Sequence, residues 1–118
     1  MSNERKLQMI RVLLSLDLKK SEDQRTAFYA FLKEKSWKKT NDVDTVWILE
    51  FAKANPDQDT YRKIKSLIES TLIEAAKGLK LYKIVYVAQI GNAEYIAKEV
   101  MKADNGLYQQ FNRPLYEE

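Results

Sequence analysis

The chain has 118 residues, 45% hydrophobic and 31% charged, which is the size and mix of one globular domain with an ordinary hydrophobic core. Its net charge is +3 and its pI is near 9.0, a balance that permits contact with nucleic acid without demanding it. It has neither histidine nor cysteine. That excludes histidine-based triads, His-containing metal sites, disulfides and thiolate chemistry, and leaves any catalysis to carboxylates, hydroxyls, tyrosine, lysine or arginine. The lack of cysteine fits a reducing, cytoplasmic setting.

The first apolar stretch, "MIRVLLSLDL" at 9–18, is broken by Arg11 and has no small-residue cleavage site before Asp17, so it reads as a strand and not as a leader. No apolar run approaches a membrane span, and no membrane partner is expected. The two-residue period puts Ile10, Val12, Leu14, Leu16 and Leu18 on one face. Met9, Arg11, Leu13, Ser15 and Asp17 fall on the other. Ser21 then opens a helix with Gln24 as capping-box partner and Glu22 and Asp23 in the first turn. Its buried stripe is Ala27, Phe28, Phe31 and Leu32, and it ends near Lys35.

A short strand around Ser36–Thr40, an Asn41-Asp42 turn and a stronger strand at Thr45–Phe51 make a hairpin. A long helix follows from Asp59 to Lys77, with Tyr61, Ile64, Leu67, Ile68, Leu72 and Ala75 as its stripe and Gly78 as its C-terminal glycine. The segment 81–90, "LYKIVYVAQI", is a strand with Tyr82, Ile84, Tyr86, Ala88 and Ile90 on one face. A last helix is expected from Ala93 to Lys102, stopped by Asn105-Gly106. The tail at 103–118 is aromatic without a period.

This order predicts one α+β domain over 1–118, with its core at about 7–102. The expected fold is a ferredoxin-like βαββαβ unit, with a four-stranded antiparallel sheet, helices on one face and an extra C-terminal helix. The open sheet face then carries Arg11, Leu13, Ser15, Asp17, Lys83, Val85, Val87 and Gln89, an apolar middle with a charged rim. Such a patch points to a homodimer packed sheet to sheet, unless the last helix or the tail folds back over it.

Asp17 is the sharpest candidate for chemistry. Two copies brought together across a dimer axis could hold Mg²⁺ or Mn²⁺, and such an ion could activate water at a phosphodiester while Lys19 and Lys20 bind the flanking phosphates. The plainer reading is that Asp17 hydrogen-bonds its loop or the start of the helix. The basic cluster "KEKSWKK" at 33–39 invites a similar choice. Lys38 and Lys39 contact a nucleic-acid backbone beside a stacking Trp37, or they end a solvated helix with Trp37 in the core. Tyr82 and Tyr86 read as core residues. An RNA-recognition module shares the strand order, but "DTVWILEF" has no glycine and lacks its aromatic motif.

Ser15-Leu16-Asp17-Leu18, then Phe28–Lys33, Trp37 and Thr45-Val46-Trp47 together resemble the small CRISPR-associated "Cas two" proteins and their relatives outside CRISPR loci, which include virulence-associated ribonucleases and antitoxins. The resemblance covers the first half well; the later half agrees in element order only. It implies a ferredoxin-like homodimer with Asp17 as the proposed metal ligand of a nuclease, supported by Ser15, and with Lys19, Lys20, Arg25, Lys38 and Lys39 on RNA or DNA. It also implies the alternatives of a non-catalytic scaffold for nucleic acid and of a protein-binding, antitoxin-type regulator. In the CRISPR members an extra C-terminal strand often extends the sheet; Pro114 argues against one here, and the chain reads as a stand-alone relative.

Overall fold

Strict alternation makes the first strand the keel of the molecule. In the computed structural model, which describes residues 7–41 and 45–116, β1 spans Gln8–Lys19. Its residues Ile10, Val12, Leu14, Leu16 and Leu18 are all buried. A 3₁₀ turn at Glu22–Gln24 leads into α1, Arg25–Glu34. The chain continues through β2, Lys38–Lys39, and β3, Val46–Ala54, to α2, Gln58–Leu79. It then runs through β4, Lys83–Ile90, β5, Ile96–Lys102, and β6, Tyr108–Asn112. The fold is α+β, and its antiparallel sheet has six strands in the order β2-β3-β1-β4-β5-β6.

Both helices pack on one face. Phe28 and Leu32 of α1 and Ile64, Ile68, Leu72 and Ala75 of α2 join the buried side of the sheet in one core, with Trp37 and Trp47 among them. Trp37 is therefore a core residue. Ala27 and Leu67, expected in the helix stripes, face solvent.

The expected four-stranded sheet is corrected to six strands, and the expected helix at Ala93–Lys102 is strand β5. "IAKEVMK" has good helix formers, but Ile96 and Val100 satisfy a two-residue period as well as a four-residue one. Pairing with β4 along Ile84↔Val100 and Ala88↔Ile96 decides between them. Asn105-Gly106 does not stop a helix; it turns a hairpin. Gly106 has φ +84°, Ala103 N–H donates to Leu107 O at 2.8 Å, and Leu107 N–H donates to the Asn105 side chain at 3.0 Å. The tail therefore supplies β6, which ends at Asn112 before Pro114 can interrupt it.

Three local expectations also change. α2 runs through Gly78 to Leu79, and Lys80, at φ 54°, takes the left-handed position past its end. The strand expected at Ser36–Thr40 shortens to Lys38–Lys39, and Asp42 of the turn after it lies outside the described residues. Ser21 makes no side-chain cap with its own helix. Its hydroxyl is used elsewhere, as described below.

Candidate functional site

The face of the sheet away from the helices has the composition expected of it. Leu13, 52% exposed, sits opposite Ile48, and Ser15 sits opposite both Val46 and Val87. Around this apolar strip, Glu50 takes a 3.3 Å contact from Arg11 and a 2.5 Å contact from Lys38. Those two cations, Lys38 first, hold the Glu50 carboxyl below its ordinary value. On the far side Lys83 pairs with Glu99 at 3.5 Å. The tail crosses one end of this face, where Arg113, Pro114 and Leu115 border a shallow 330 Å³ groove that also touches Ser15, Asp17, Val85 and Val87. Leu13 stays exposed beyond it.

Asp17 lies on this face near the C-terminal end of β1, opposite Val85. Lys19 Nζ is 3.2 Å from its Oδ2, and Arg25 Nη2 is 3.8 Å from its Oδ1. The carboxylate therefore ties the end of β1 to the start of α1. Ser15 Oγ meets Thr45 Oγ1 at 3.5 Å, so its hydroxyl turns to the start of the hairpin strand. A Mg²⁺ or Mn²⁺ site needs oxygen ligands that are free to turn toward the ion. Both oxygens of Asp17 already face cations, and no cluster of three or more metal-ligating side chains occurs among the described residues. The expected Mg²⁺ or Mn²⁺ site draws Asp17 from two copies, and one chain supplies only its half.

The basic residues divide into two groups. Lys19, Lys20 and Arg25 gather where β1 meets α1. Lys38 pairs with Ile48, and Ile48 with Leu13, six positions along β1 from Lys19, which is about 20 Å of strand. Lys39 turns to the helix side, 5.8 Å from the Tyr29 ring. Lys38 and Lys39 are thus not part of the Asp17 cluster.

The first group has neighbours that the sequence pattern concealed. Tyr82 precedes β4 and is 46% exposed, not core. Lys20 Nζ stands 5.0 Å and Lys83 Nζ 5.8 Å from its ring centroid, within cation–π range. A groove of about 460 Å³ opens beside it, lined by Lys20, Lys80 and Lys102 with Tyr82 and Tyr108, and by Asp23 as its one acid. Lys102 Nζ lies 5.8 Å from the Tyr108 ring, and the Tyr108 hydroxyl donates to Leu81 O at 3.1 Å. Two of these lysines hold left-handed backbone, Lys20 at φ 57° and Lys80 at φ 54°, where glycine is easier. Tyr86, by contrast, is buried as expected.

Exposed aromatic faces interleaved with lysines form a surface on which a base can stack while its phosphates are neutralised. No helix of the described residues is long and apolar enough to cross a membrane. Compared with family models, curated proteins and solved structures, the chain matches none.

Proposed function

We propose that this chain is a non-catalytic nucleic-acid-binding protein that holds single-stranded RNA or DNA on the Tyr82 groove and self-associates through its open sheet face. The observation that carries this reading is the exposed Tyr82 ring set between Lys20 and Lys83, beside Lys80 and Lys102. Tyr82 supplies a stacking face and the lysines supply point charges for phosphates. Asp17 acts as a structural and electrostatic partner of Lys19 and Arg25.

Two features support a distant ferredoxin-like, Cas-two-like ancestry for this function. The connectivity β1-α1-β2-β3-α2-β4 with neighbours β2-β3-β1-β4 agrees with a split βαβ core to which a hairpin has been added. An added C-terminal strand also agrees with the resemblance. The exposed strip at Leu13 and Val87 favours a second copy of the chain as the partner of the open face.

The test is fluorescence anisotropy with labelled single-stranded RNA, single-stranded DNA and duplex, across a salt series, with Mg²⁺ or with EDTA. Binding is expected to be indifferent to EDTA and to weaken linearly in log salt, with a slope of about −0.7 per phosphate contact on single strands. Tyr82→Ala should lose about 1–3 kcal/mol of binding. Asp17→Asn, which releases Lys19 and Arg25, should bind as tightly as wild type or more so. Metal-dependent cleavage that disappears in Asp17→Asn would overturn this reading in favour of a nuclease. Self-association is read by sedimentation, with Leu13→Glu expected to yield monomer.

A further inference from the structure

A second polar cleft lies on the helix side of the sheet. Its floor is a row set by the strand register: Tyr86 of β4 stands opposite Lys98 of β5, and Lys98 opposite Asn112 of β6. By the alternation that buries Ile84, Ala88 and Ile90, these positions face α2, where an apolar floor would be the rule. Here the floor turns polar from β4 outward. The Tyr86 hydroxyl donates to Gln110 Oε1, and Lys98 Nζ donates to Asn112 Oδ1. Arg62, Lys65 and Glu69 of α2 line one wall, Arg113 borders it too, and this half-open cleft has a volume of about 590 Å³, inside the range of small-molecule sites.

Charge and shape narrow the ligand. Arg62, Lys65, Lys98 and Arg113 outnumber Glu69 and Glu94 around the cleft. Lys65 has no carboxylate within ion-pair distance among the described residues, whereas Arg62 shares Asp59 at 3.4 Å. The amides Gln110 and Asn112 and the carboxylate Glu69 are groups that bind hydroxyls. At the rim, Tyr95 is 46% exposed and offers an aromatic side chain on which a planar ring can stack.

We propose that this cleft binds a small phosphorylated polyol, a sugar phosphate or a nucleotide. Its phosphate lies among Arg62, Lys65 and Arg113, and its hydroxyls lie on Glu69, Gln110 and Asn112. The site is separate from the Tyr82 groove and stands whether or not that groove binds nucleic acid.

The experiment titrates the ¹⁵N-labelled full chain with inorganic phosphate, ribose 5-phosphate and a nucleoside monophosphate, following amide shifts. Saturating shifts centred on Tyr86, Lys98, Gln110 and Asn112, with Lys65→Glu weakening binding at least tenfold and Lys53→Glu leaving it unchanged, are expected. A nucleotide binding tighter than ribose 5-phosphate identifies the nucleotide class and Tyr95 stacking; equal affinities identify the sugar-phosphate class. Phosphate alone binding as tightly as both would overturn the polyol assignment. Shifts that do not saturate, or that centre on Lys20 and Tyr82, would overturn the site. The wild-type shift map decides this even if a variant fails to fold.

Discussion

Ser21 Oγ accepts a hydrogen bond from the backbone N–H of Tyr82 at 2.9 Å, across 61 residues of sequence. Ser21 is 4% exposed, and its own carbonyl accepts from Gln24 N–H at 2.9 Å. The side chain thus clamps the end of β1 to the residue before β4, and so fixes where the Tyr82 ring emerges. Ser21→Ala leaves the Tyr82 N–H without its partner, which should cost about 1–2 kcal/mol in equilibrium urea unfolding. Because Tyr82 loses its anchor, nucleic-acid affinity should fall in the same variant, and Ser21→Thr should recover part of both. A stability change within the noise would mean that water replaces the hydroxyl.

Lys80 presents the opposite balance. It sits one residue beyond α2 in left-handed backbone, φ 54°, and its N–H donates to Ala76 O. Glycine suits that position and lysine is strained in it by about 1 kcal/mol. Lys80→Gly should therefore stabilise the fold by about 1 kcal/mol in urea unfolding. It should also weaken nucleic-acid binding and lower the salt slope by about one phosphate contact. A variant that is more stable and binds normally would remove Lys80 from the interface.

Some of this architecture is written locally and some is not. β1, α2 and β4 were legible because their apolar residues keep one period over many positions, as Ile10 to Leu18 do at two. β5 was not, because Ile96 and Val100 fit either period and only pairing with β4 separates them. The Asn105-Gly106 pair carried the hairpin signal, and "YQQFN" hid the strand after it by lacking apolar alternation. At the site, the placement of Asp17 on the open face followed from alternation in β1. The groove did not, since the end of β1, the end of α2, β5 and β6 each give it residues and only tertiary packing brings them together. Tyr82 read as core because it falls in phase with Ile84 and Tyr86, but it lies one residue before the strand begins.

Tyr86 gives the fold an alkaline limit. Burial, and secondarily the Glu69 carboxylate, push its phenol well above the ordinary 10.0. The folded chain therefore keeps a proton that the unfolded chain releases near pH 10, so stability is intact below that pH and falls as pH rises beyond it. Unfolding free energies from urea titrations at pH 8 to 11 should fall at the alkaline end by up to about 1.4 kcal/mol per pH unit from this group. Tyr86→Phe should lose about 1 kcal/mol at pH 8 with the Gln110 hydrogen bond, and show a shallower alkaline decline. Equal declines in both proteins would place the titrating group elsewhere.

Trp47 tests how the core was filled. It is 0% exposed and meets Tyr29 edge-on with ring centroids 5.2 Å apart, a favourable geometry for the pair. Among the described residues its indole Nε1 meets no hydrogen-bond acceptor, which costs about 1–3 kcal/mol when a donor is shut away from water. The bulk of the indole, packed on β3 against Tyr29 of α1, outweighs that penalty. Trp47→Phe removes the unmet donor and keeps an aromatic edge for Tyr29, while leaving a void the size of the missing ring. The two effects oppose, so the net loss should be about 1 kcal/mol or less, against about 3–5 kcal/mol for Trp47→Ala. Trp37 remains as the fluorescent reporter for both unfolding curves. A Trp47→Phe loss as large as that of alanine would show that the indole N–H has a partner after all, and that the tryptophan is held by a hydrogen bond as well as by its volume.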